Sequence, residues 1–482
     1  MTATVGAPAS VIELTELLVS EAAAGRRFAG LMGTQVGDTV QLSAHVAGPD
    51  AIDTHDVMLP AGADGYPAMT PALSAAFWYE RELHDQFGIV PYGHPRLEPL
   101  ILPRGEHSVP RHVLGPGLFT IPHGPVRSGV MESVEYLVET PGEDIPHLNL
   151  RVFYKHRGIE RRFGQLALDD GVLLAERTEG MASVAHALAY CHALERIAGL
   201  GEVPRLAALT RVLHAELERI VAHLDVALRL ADAAGLAVAT ARFGLHKERV
   251  MRLVGRMCGS RFGRGVVVPG GVRCLPQIPA AELLNQVARI EREVTADSRA
   301  LMGTASFLDR LRRTGPLTPE RAAEHGALGP IGKASGYSDD ARVARPYDAY
   351  RWLTRGRQPE YRHGDALARL RVRWDEVTQS FGLLRQAAER LADAADSPLR
   401  AEIAADIAAG ALSGRATGWA EAPHGEVLYD LAIHAGRITR CRPRSPSFHN
   451  LVLFHEVFAG DILTDFPFIE ASFGLSVAGV AL

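Results

Sequence analysis

The sequence has few of the residues from which metal clusters and disulfide frameworks are built. Only 4 of its 482 residues are cysteines, namely Cys191, Cys258, Cys274 and Cys441, and no two of them form a C-x-x-C pair. Such spacing excludes a disulfide framework, a zinc ribbon and an iron–sulfur cluster held by this chain alone. We therefore expect no metal site in this chain.

Charge and hydropathy exclude two further classes of protein. Lys and Arg total 51 against 56 Asp and Glu, for a net charge of -5, so the basic excess that nucleic-acid backbones attract is missing and no nucleic-acid partner is expected. No run of about 18 apolar residues occurs, which predicts a chain that does not cross a membrane by itself. It could still lie on a membrane through a partner.

Several common site motifs are also missing. The chain has no G-x-x-x-x-G-K-[ST] phosphate loop, no G-x-G-x-x-G after a predicted strand, and neither H-E-x-x-H nor G-x-S-x-G. A P-loop nucleotide site, a dinucleotide-binding fold, a zincin and a hydrolase elbow are therefore not expected. What is present is an ordinary globular composition, 47% hydrophobic and 22% charged, which is sufficient for a large core.

The residue patterns predict an α+β fold in two parts. Residues 7–24 have helical spacing, and 39–47 and 51–59 alternate apolar with polar residues as half-buried strands do. A segment rich in proline and glycine, 102–125, predicts a connector. After it, 130–139 and 148–154 are predicted strands. The rest is mainly helical, with predicted helices at 182–197, 204–235, 242–257, 280–301, 367–395 and 399–409.

One helical cluster invites a metal interpretation. His214 and Glu218 lie one turn apart on the predicted helix 204–235, and His223 follows on the same helix. A helical His–Glu pair is more often a surface or interhelical hydrogen bond than a ligand set, so we favour a structural role. From the residues alone, the activity stays open.

Several stretches resemble two fused families. Residues 80–103 (ERELHDQFGIVPYGHPRLEPLILP) closely resemble the signature of the small α+β (30 kDa) subunit of respiratory complex I. Six later stretches resemble the large subunit of [NiFe]-hydrogenases and its complex I relative, the 49 kDa subunit. They are IPHGPVRSG at 121–129, YKHRGIE at 154–160, ERTEGMASVAHALAYCHALE at 176–195, RVLHAELERIVAHL at 211–224, PGGVR at 269–273 and the tail 445–482. Group 4 hydrogenases of the formate hydrogenlyase type carry both units fused in this order. The resemblance implies a small α+β domain over 1–105, a linker over 106–120, and a mainly helical domain with a small β portion over 121–482.

The resemblance also implies that the hydrogenase metal centre has been lost. Hydrogenases carry R-x-C-G-x-C where this chain has Glu179 and Ala182, and D-P-C-x-x-C where it has Ser447 and Asn450. A nickel–iron centre needs soft thiolate ligands, which these four residues do not supply.

The quinone-binding residues of complex I differ as well. The His and Tyr that hold the quinone headgroup there correspond to Arg127 and Gly180 here. The resemblance therefore puts the usual ubiquinone pocket in question, although a quinone remains possible.

Some chemistry is still expected at this vestigial site. Glu160, in the H-R-G-x-E motif, matches a proton-shuttling carboxylate of hydrogenases, although an ion pair that only holds the fold together is an equally open interpretation. For Glu179, Arg127, Arg157 and Arg177 are candidate cations of an Arg–Glu cluster, and a structural role is favoured. A cavity lined by Arg127, Glu160, Glu179, Ser447 and His449 is the predicted place for a quinone or another carrier.

The predicted function is that of a subunit of a membrane-associated respiratory-type oxidoreductase complex, of the NADH–quinone oxidoreductase and hydrogenase class, without a nickel–iron centre. The resemblance implies an iron–sulfur partner like the 20 kDa subunit of complex I, carrying a [4Fe–4S] cluster. It also implies antiporter-like membrane subunits, coupling to ion translocation and a place on the cytoplasmic side of the membrane. A redox-inactive scaffold is the alternative, and a true hydrogenase is a remote one.

Overall fold

The computed structural model describes residues 8–102, 117–127, 132–401, 410 and 412–482. Within these residues the helices are α1 (Val11–Ala23), α2 (Phe77–Phe87), α3 (Ile159–Phe163), α4 (Leu168–Ala175), α5 (Ser183–Ile197), α6 (Arg205–Ala233), α7 (Ala237–Cys258), α8 (Ala280–Met302), α9 (Ala305–Leu311), α10 (Pro319–His325), α11 (Gly329–Ala334), α12 (Ala341–Ala344), α13 (Ala366–Arg390), α14 (Pro446–Leu451) and α15 (Phe466–Phe473). None of these described helices is both long enough and apolar enough to span a bilayer.

The strands form small sheets rather than one large one. They are β1 (Arg27–Val36), β2 (Thr39–Ala47), β3 (Ile52–Met58), β4 (Gly65–Pro67), β5 (Val90–Tyr92), β6 (Phe119–His123), β7 (Glu135–Thr140), β8 (His147–Arg151), β9 (Val267–Val268), β10 (Gly271–Val272), β11 (Gly414–Ala422), β12 (Gly425–His434) and β13 (Arg437–Arg444). Three antiparallel sheets have the orders β1-β2-β3, β6-β7-β8 and β11-β12-β13. Two further two-stranded sheets are the parallel pair β4-β5 and the antiparallel pair β9-β10. The predicted α+β class is confirmed.

Most predicted elements match an observed one within a few residues. The largest difference is the sheet β11-β12-β13, in a part of the chain predicted to be mainly helical, and β1 was not predicted either. A smaller difference is β6, which lies in the segment predicted to be a connector. It contains Pro122 but forms an edge of its sheet, where a missing backbone N–H is tolerated. The helix α13 also ends earlier than predicted, at Arg390, and is followed by a short 3₁₀ turn. Most of the predicted helix at 399–409 lies outside the described residues.

Two acidic residues of the segment 80–103, Glu80 and Asp85, accept hydrogen bonds from backbone N–H groups of neighbouring loops. The buried carboxylate of Glu80 accepts hydrogen bonds from the backbone N–H groups of Met69 and Thr70, at 2.8 and 2.9 Å. Asp85 accepts from the N–H groups of Leu100 and Ile101, at 2.7 and 2.8 Å. These carboxylates on α2 therefore fix the loops on either side of the helix.

Two large cores are present, and they cross the predicted domain boundary. One contains α5, α6, α7, α8, α13 and the sheet β11-β12-β13. The other joins α1 and the first sheet to β7, β8 and the chain's C-terminal residues, so the tail packs into the body. Buried Arg27 of β1 pairs with Glu426 of β12 at 2.7 Å. The division at the linker 106–120 stays a prediction.

Candidate functional site

The carboxylate of Glu179 lies at the centre of a buried polar cluster. Glu179 occupies the turn between α4 and α5 and is fully buried. Its Oε1 accepts hydrogen bonds from the hydroxyls of Ser445 at 3.0 Å and Ser447 at 2.9 Å. The turn after α4 and the start of α14 therefore meet at this one carboxylate, although they lie more than 260 residues apart.

Two histidines contact the other oxygen of Glu179. Oε2 lies 3.0 Å from Nε2 of His186 on α5 and 3.2 Å from Nε2 of His424, in the turn between β11 and β12. His186 continues the chain of contacts, because its Nδ1 lies 2.9 Å from the hydroxyl of Tyr429. We call Glu179, His186, His424, Ser445 and Ser447 the Glu179 cluster.

These partners keep Glu179 ionised. Burial by itself would raise the pKa of Glu179, but the nearby imidazole of His424 and the hydrogen bond from His186 outweigh it, so the pKa lies well below the usual range. An isolated buried carboxylate would be costly. In the cluster, the hydroxyls of Ser445 and Ser447 and the imidazole of His186 compensate the carboxylate for its loss of water.

The C-terminal tail closes over the Glu179 cluster. A Cβ atom at Gly479 would lie 2.0 Å from Oε1 of Glu179 and 2.5 Å from the hydroxyl of Ser445. The backbone N–H of Ser476 donates to the Ser447 hydroxyl at 3.0 Å. Only a residue without a side chain fits at position 479, so the tail and the carboxylate are packed as one unit.

The three candidate arginines have separate positions. Arg157 donates to the carbonyls of Thr178 and Ala478, both at 2.6 Å, and lies near enough to Glu179 for that charge to act on its pKa. Arg177 is half-exposed and pairs with Glu176 at 3.6 Å. Arg157 is therefore the one of the three that the contacts place beside Glu179.

Arg127 has a partner of its own. Its guanidinium forms a two-point pair with Glu470, at 2.9 and 2.7 Å, and lies over the ring of Tyr136 at 5.0 Å from the centroid. The Tyr136 hydroxyl donates to the same carboxylate at 2.9 Å. This arrangement attaches β6 and β7 to α15.

Glu160 and His449 are also engaged elsewhere. Glu160, at the first turn of α3, forms an ion pair with Arg442 and accepts a hydrogen bond from Gln86 of α2 at 3.1 Å. His449 is buried, with Nδ1 at 2.9 Å from the Tyr79 hydroxyl and Nε2 at 3.1 Å from the carbonyl of His325. The structure thus brings Glu179 and Ser447 together, but it does not join Arg127, Glu160 and His449 to them through hydrogen bonds or ion pairs.

A separate cavity of about 720 Å³ lies between α5, α6 and α7, next to Gly180. Seven titratable side chains line it, and two of them, His214 and Glu218, lie one turn apart on α6. The other five are Asp225, Arg229, Lys247, Glu248 and Arg261. Its apolar lining comes from Met181, Val184, Val221, Leu228, Met251, Val254 and Phe262. We call this space the α5–α7 cavity.

Burial disfavours the charged forms of His214 and Glu218. Burial lowers the pKa of His214 to about 4, and its Nδ1 atom, buried, has no hydrogen-bond partner. Glu218 opens onto the cavity yet lies deep in the protein, and burial raises its pKa to about 8, with the charge of Glu179 adding to the rise. Glu218 accepts the first N–H groups of α5, from Val184 at 2.7 Å and Ala185 at 3.1 Å.

Comparison with protein families identifies the chain. Residues 235–481, just over half of it, match the family described as respiratory-chain NADH dehydrogenase, 49 Kd subunit, and residues 6–112 match the 30 Kd subunit. The chain belongs to the 49 Kd subunit family. It is therefore a subunit of the respiratory-type oxidoreductase class, as its motifs predicted.

Named relatives come from both branches of this family. The chain is 29% identical to the carbon monoxide-induced hydrogenase of Rhodospirillum rubrum, over 73% of this chain and 96% of the relative. It is 27% identical to formate hydrogenlyase subunit 5 of Escherichia coli, over 84% of this chain and 75% of the relative. It is also 27% identical to an NADH-quinone oxidoreductase subunit of Bdellovibrio bacteriovorus, over 66% of this chain and 61% of the relative.

The residues of this 49 Kd family member do not fit a nickel–iron centre. The side chains that contact Glu179 are hydroxyls and imidazoles, not the thiolates that such a centre requires. Ala182 is buried without a donor, and both amide atoms of Asn450 bond to the backbone of Leu328. No group of His, Cys, Asp or Glu side chains has the arrangement of a metal site in the part of the chain that the structure describes.

Sequence reasoning missed some residues of this family member. His424 carries no local signal, because a single His in a β-turn gains its partner only through the tertiary fold. His186 lies in the quoted stretch 176–195 but was not singled out. His214 and Glu218 were singled out for their helical spacing and given a structural role. Glu218 does form interhelical hydrogen bonds with the start of α5, and both residues also line the α5–α7 cavity.

Proposed function

We propose that this chain works in a membrane-associated complex in which a small carrier, a quinone or a compound of similar build, binds in the α5–α7 cavity. Electrons come from a [4Fe–4S] cluster in a partner like the 20 kDa subunit of complex I. Antiporter-like subunits hold the assembly on the cytoplasmic side of the membrane, and electron transfer is coupled to ion translocation there. No nickel–iron centre takes part, since the residues at the former thiolate positions do not fit one.

The observation that carries this proposal is the chemistry of the α5–α7 cavity. Its volume of about 720 Å³ suits a carrier headgroup with part of its tail, and a mainly apolar wall is typical of small-molecule sites. Gly180 adds no side chain there, and a Cβ at this position would meet nothing within 4 Å. The cavity is therefore open at the position where complex I carries a tyrosine by resemblance.

His214 and Glu218 supply what a carbonyl headgroup needs. Glu218 is protonated at neutral pH, so its carboxyl can donate a hydrogen bond or a proton to a carrier oxygen. Neutral His214 has an unpartnered ring nitrogen for a second hydrogen bond. Both groups sit on one face of α6, which fixes their spacing. Glu160 remains a candidate relay, through its contact with Arg442 at the junction with α2.

The test is binding of a quinone analogue to the purified complex. Gly180→Leu fills the cavity and should abolish binding, while Glu218→Gln should weaken it by about tenfold through loss of one hydrogen bond to a neutral carboxyl. Arg127→Ala is the matched control, because Arg127 pairs with Glu470 away from this cavity, and it should leave affinity unchanged. Loss of binding in Arg127→Ala but not in Gly180→Leu would contradict the proposed place.

One observation favours a redox-inactive scaffold as the second candidate. Glu179 is satisfied entirely by residues of the same chain, as a purely structural cluster would be. If the complex binds no carrier and turns over with none, this candidate replaces the first.

A further inference from the structure

A second cavity, of about 480 Å³, lies on the far side of α5 from the site described above, beside the start of α6. Four arginines line it, namely Arg196, Arg205, Arg351 and Arg390. Two aromatic residues, Tyr347 and Trp352, complete the wall. We call this space the arginine cavity. Its volume suits a ligand of nucleotide size.

Three of these arginines have no carboxylate partner. Within the described residues, Arg196, Arg205 and Arg390 form no ion pair, whereas Arg351 pairs with the exposed Glu202 at 2.7 Å. Arg196 donates instead to the carbonyl of Thr417 at 3.0 Å and stacks on a tryptophan ring. Guanidinium groups that line one cavity and form no ion pair of their own offer forked donors to an anion.

The acidic residues of the arginine cavity are outnumbered by arginines. Buried Arg211 contacts both Glu195, at 2.6 Å, and Asp348, at 3.1 Å. The third carboxylate of the lining, Glu202, pairs with Arg351. With Arg211, five guanidinium groups therefore stand against three carboxylates, and the net charge around the cavity is positive.

Two further features support a ligand site. The 29-residue helix α6 begins at the cavity edge with Arg205, and the amide end of a helix attracts anions. Asp348 has a φ of 44°, a conformation that non-glycine residues rarely adopt and that tends to be kept at functional sites. Trp352, 39% exposed, lies under Arg205 at 5.2 Å and offers a flat surface.

We propose that the arginine cavity binds a small phosphate-bearing ligand of nucleotide size, held by Arg196, Arg205 and Arg390 around the start of α6. The site is distinct from the α5–α7 cavity, and it does not depend on the carrier proposed there. Because the ligand is held largely by charge, its affinity falls as ionic strength rises.

The test is equilibrium dialysis of ADP against the full chain at low salt, with inorganic pyrophosphate as competitor. We expect saturable binding that pyrophosphate displaces. Arg205→Gln and Arg390→Gln should each weaken ADP binding by about tenfold, since each removes one charge-assisted hydrogen bond. Both side chains lack an ion pair, so their replacement leaves the fold intact.

The matched control is Arg371→Gln, an exposed arginine on the same helix as Arg390 but outside the cavity. It should bind ADP as the unchanged chain does. The proposal is overturned if ADP does not saturate, if pyrophosphate fails to compete, or if Arg371→Gln loses as much affinity as the two cavity variants. Circular dichroism of each variant confirms that any loss is not unfolding.

Discussion

Replacing Glu179 by alanine tests how much the buried Glu179 cluster stabilises the fold. The change removes the acceptor for two serine hydroxyls and the partner of His186, all within 3.0 Å. A hydrogen bond to a charged group contributes about 1.5–3 kcal/mol, and breaking a buried charge pair costs about 3–5 kcal/mol. These contributions overlap, so we expect the free energy of unfolding to fall by about 3–5 kcal/mol.

The assay is urea unfolding of the full chain at pH 7, with Glu179→Gln as the matched variant. The amide keeps an oxygen for Ser445 and Ser447 but loses the charge that faces the histidines. Its loss should therefore be smaller than that of the alanine variant. If Glu179→Ala lowers the unfolding free energy by less than about 1 kcal/mol, the cluster does not stabilise the fold as argued.

The same pair of proteins gives a pH dependence with a defined sign. The pKa of Glu179 is lowered in the folded chain relative to its ordinary value of 4.5. Its contribution is therefore complete above about pH 4.5 and is lost as the pH falls toward the lowered value. The stability difference between the unchanged chain and Glu179→Gln should shrink as the pH drops below about 4.5. A difference that grows in acid would refute the assigned charge state.

Three further predictions concern single positions. Gly479→Ala should lower the free energy of urea unfolding by about 1–3 kcal/mol, because its Cβ would lie 2.0 Å from Oε1 of Glu179. Gly382→Ala, inside α13 with open space around it, should instead raise that free energy by about 0.5–1 kcal/mol. Equal effects of the two substitutions would contradict the packing at Gly479. Glu218 has a folded pKa raised to about 8, so its contribution is present below about pH 4.5 and is lost as the pH rises toward 8. Over that interval the difference in unfolding free energy between the unchanged chain and Glu218→Gln should fall by about 4 kcal/mol, and an unchanged difference would show an ordinary pKa. Arg127→Ala should lower the free energy of unfolding by about 1–2 kcal/mol, measured by thermal unfolding, because the half-buried pair with Glu470 is lost. A loss near zero would mean that this ion pair does not hold the segment after β6 in place.

The helices were predictable because their cause is local. On α6, Leu213, Leu217, Ile220 and Leu224 recur at helical spacing, and all four are buried. Helical periodicity reports burial on one face directly, so no knowledge of the partner is needed. The edge strand β6 was missed for the opposite reason, since a proline is tolerated there only because of its place in the sheet.

The candidate site was predictable only where the resemblance placed residues together. It brought Glu179 and Ser447 to one place, and their contact of 2.9 Å is found in the structure. It did not show that Arg127 would pair with Glu470, 343 residues away, or that His424 would reach Glu179 from a β-turn. Such contacts depend on tertiary packing, which no pattern in a short window reports.

We propose that oxygen and imidazole groups, with Glu179 at their centre, stand where hydrogenases carry a thiolate-bound nickel–iron centre. The most direct test is elemental analysis of the complex purified from membranes, with nickel measured per mole of this chain. The account predicts nickel at background level, together with iron that belongs to the partner's cluster. Stoichiometric nickel that stays with this chain after the partner is removed would contradict it.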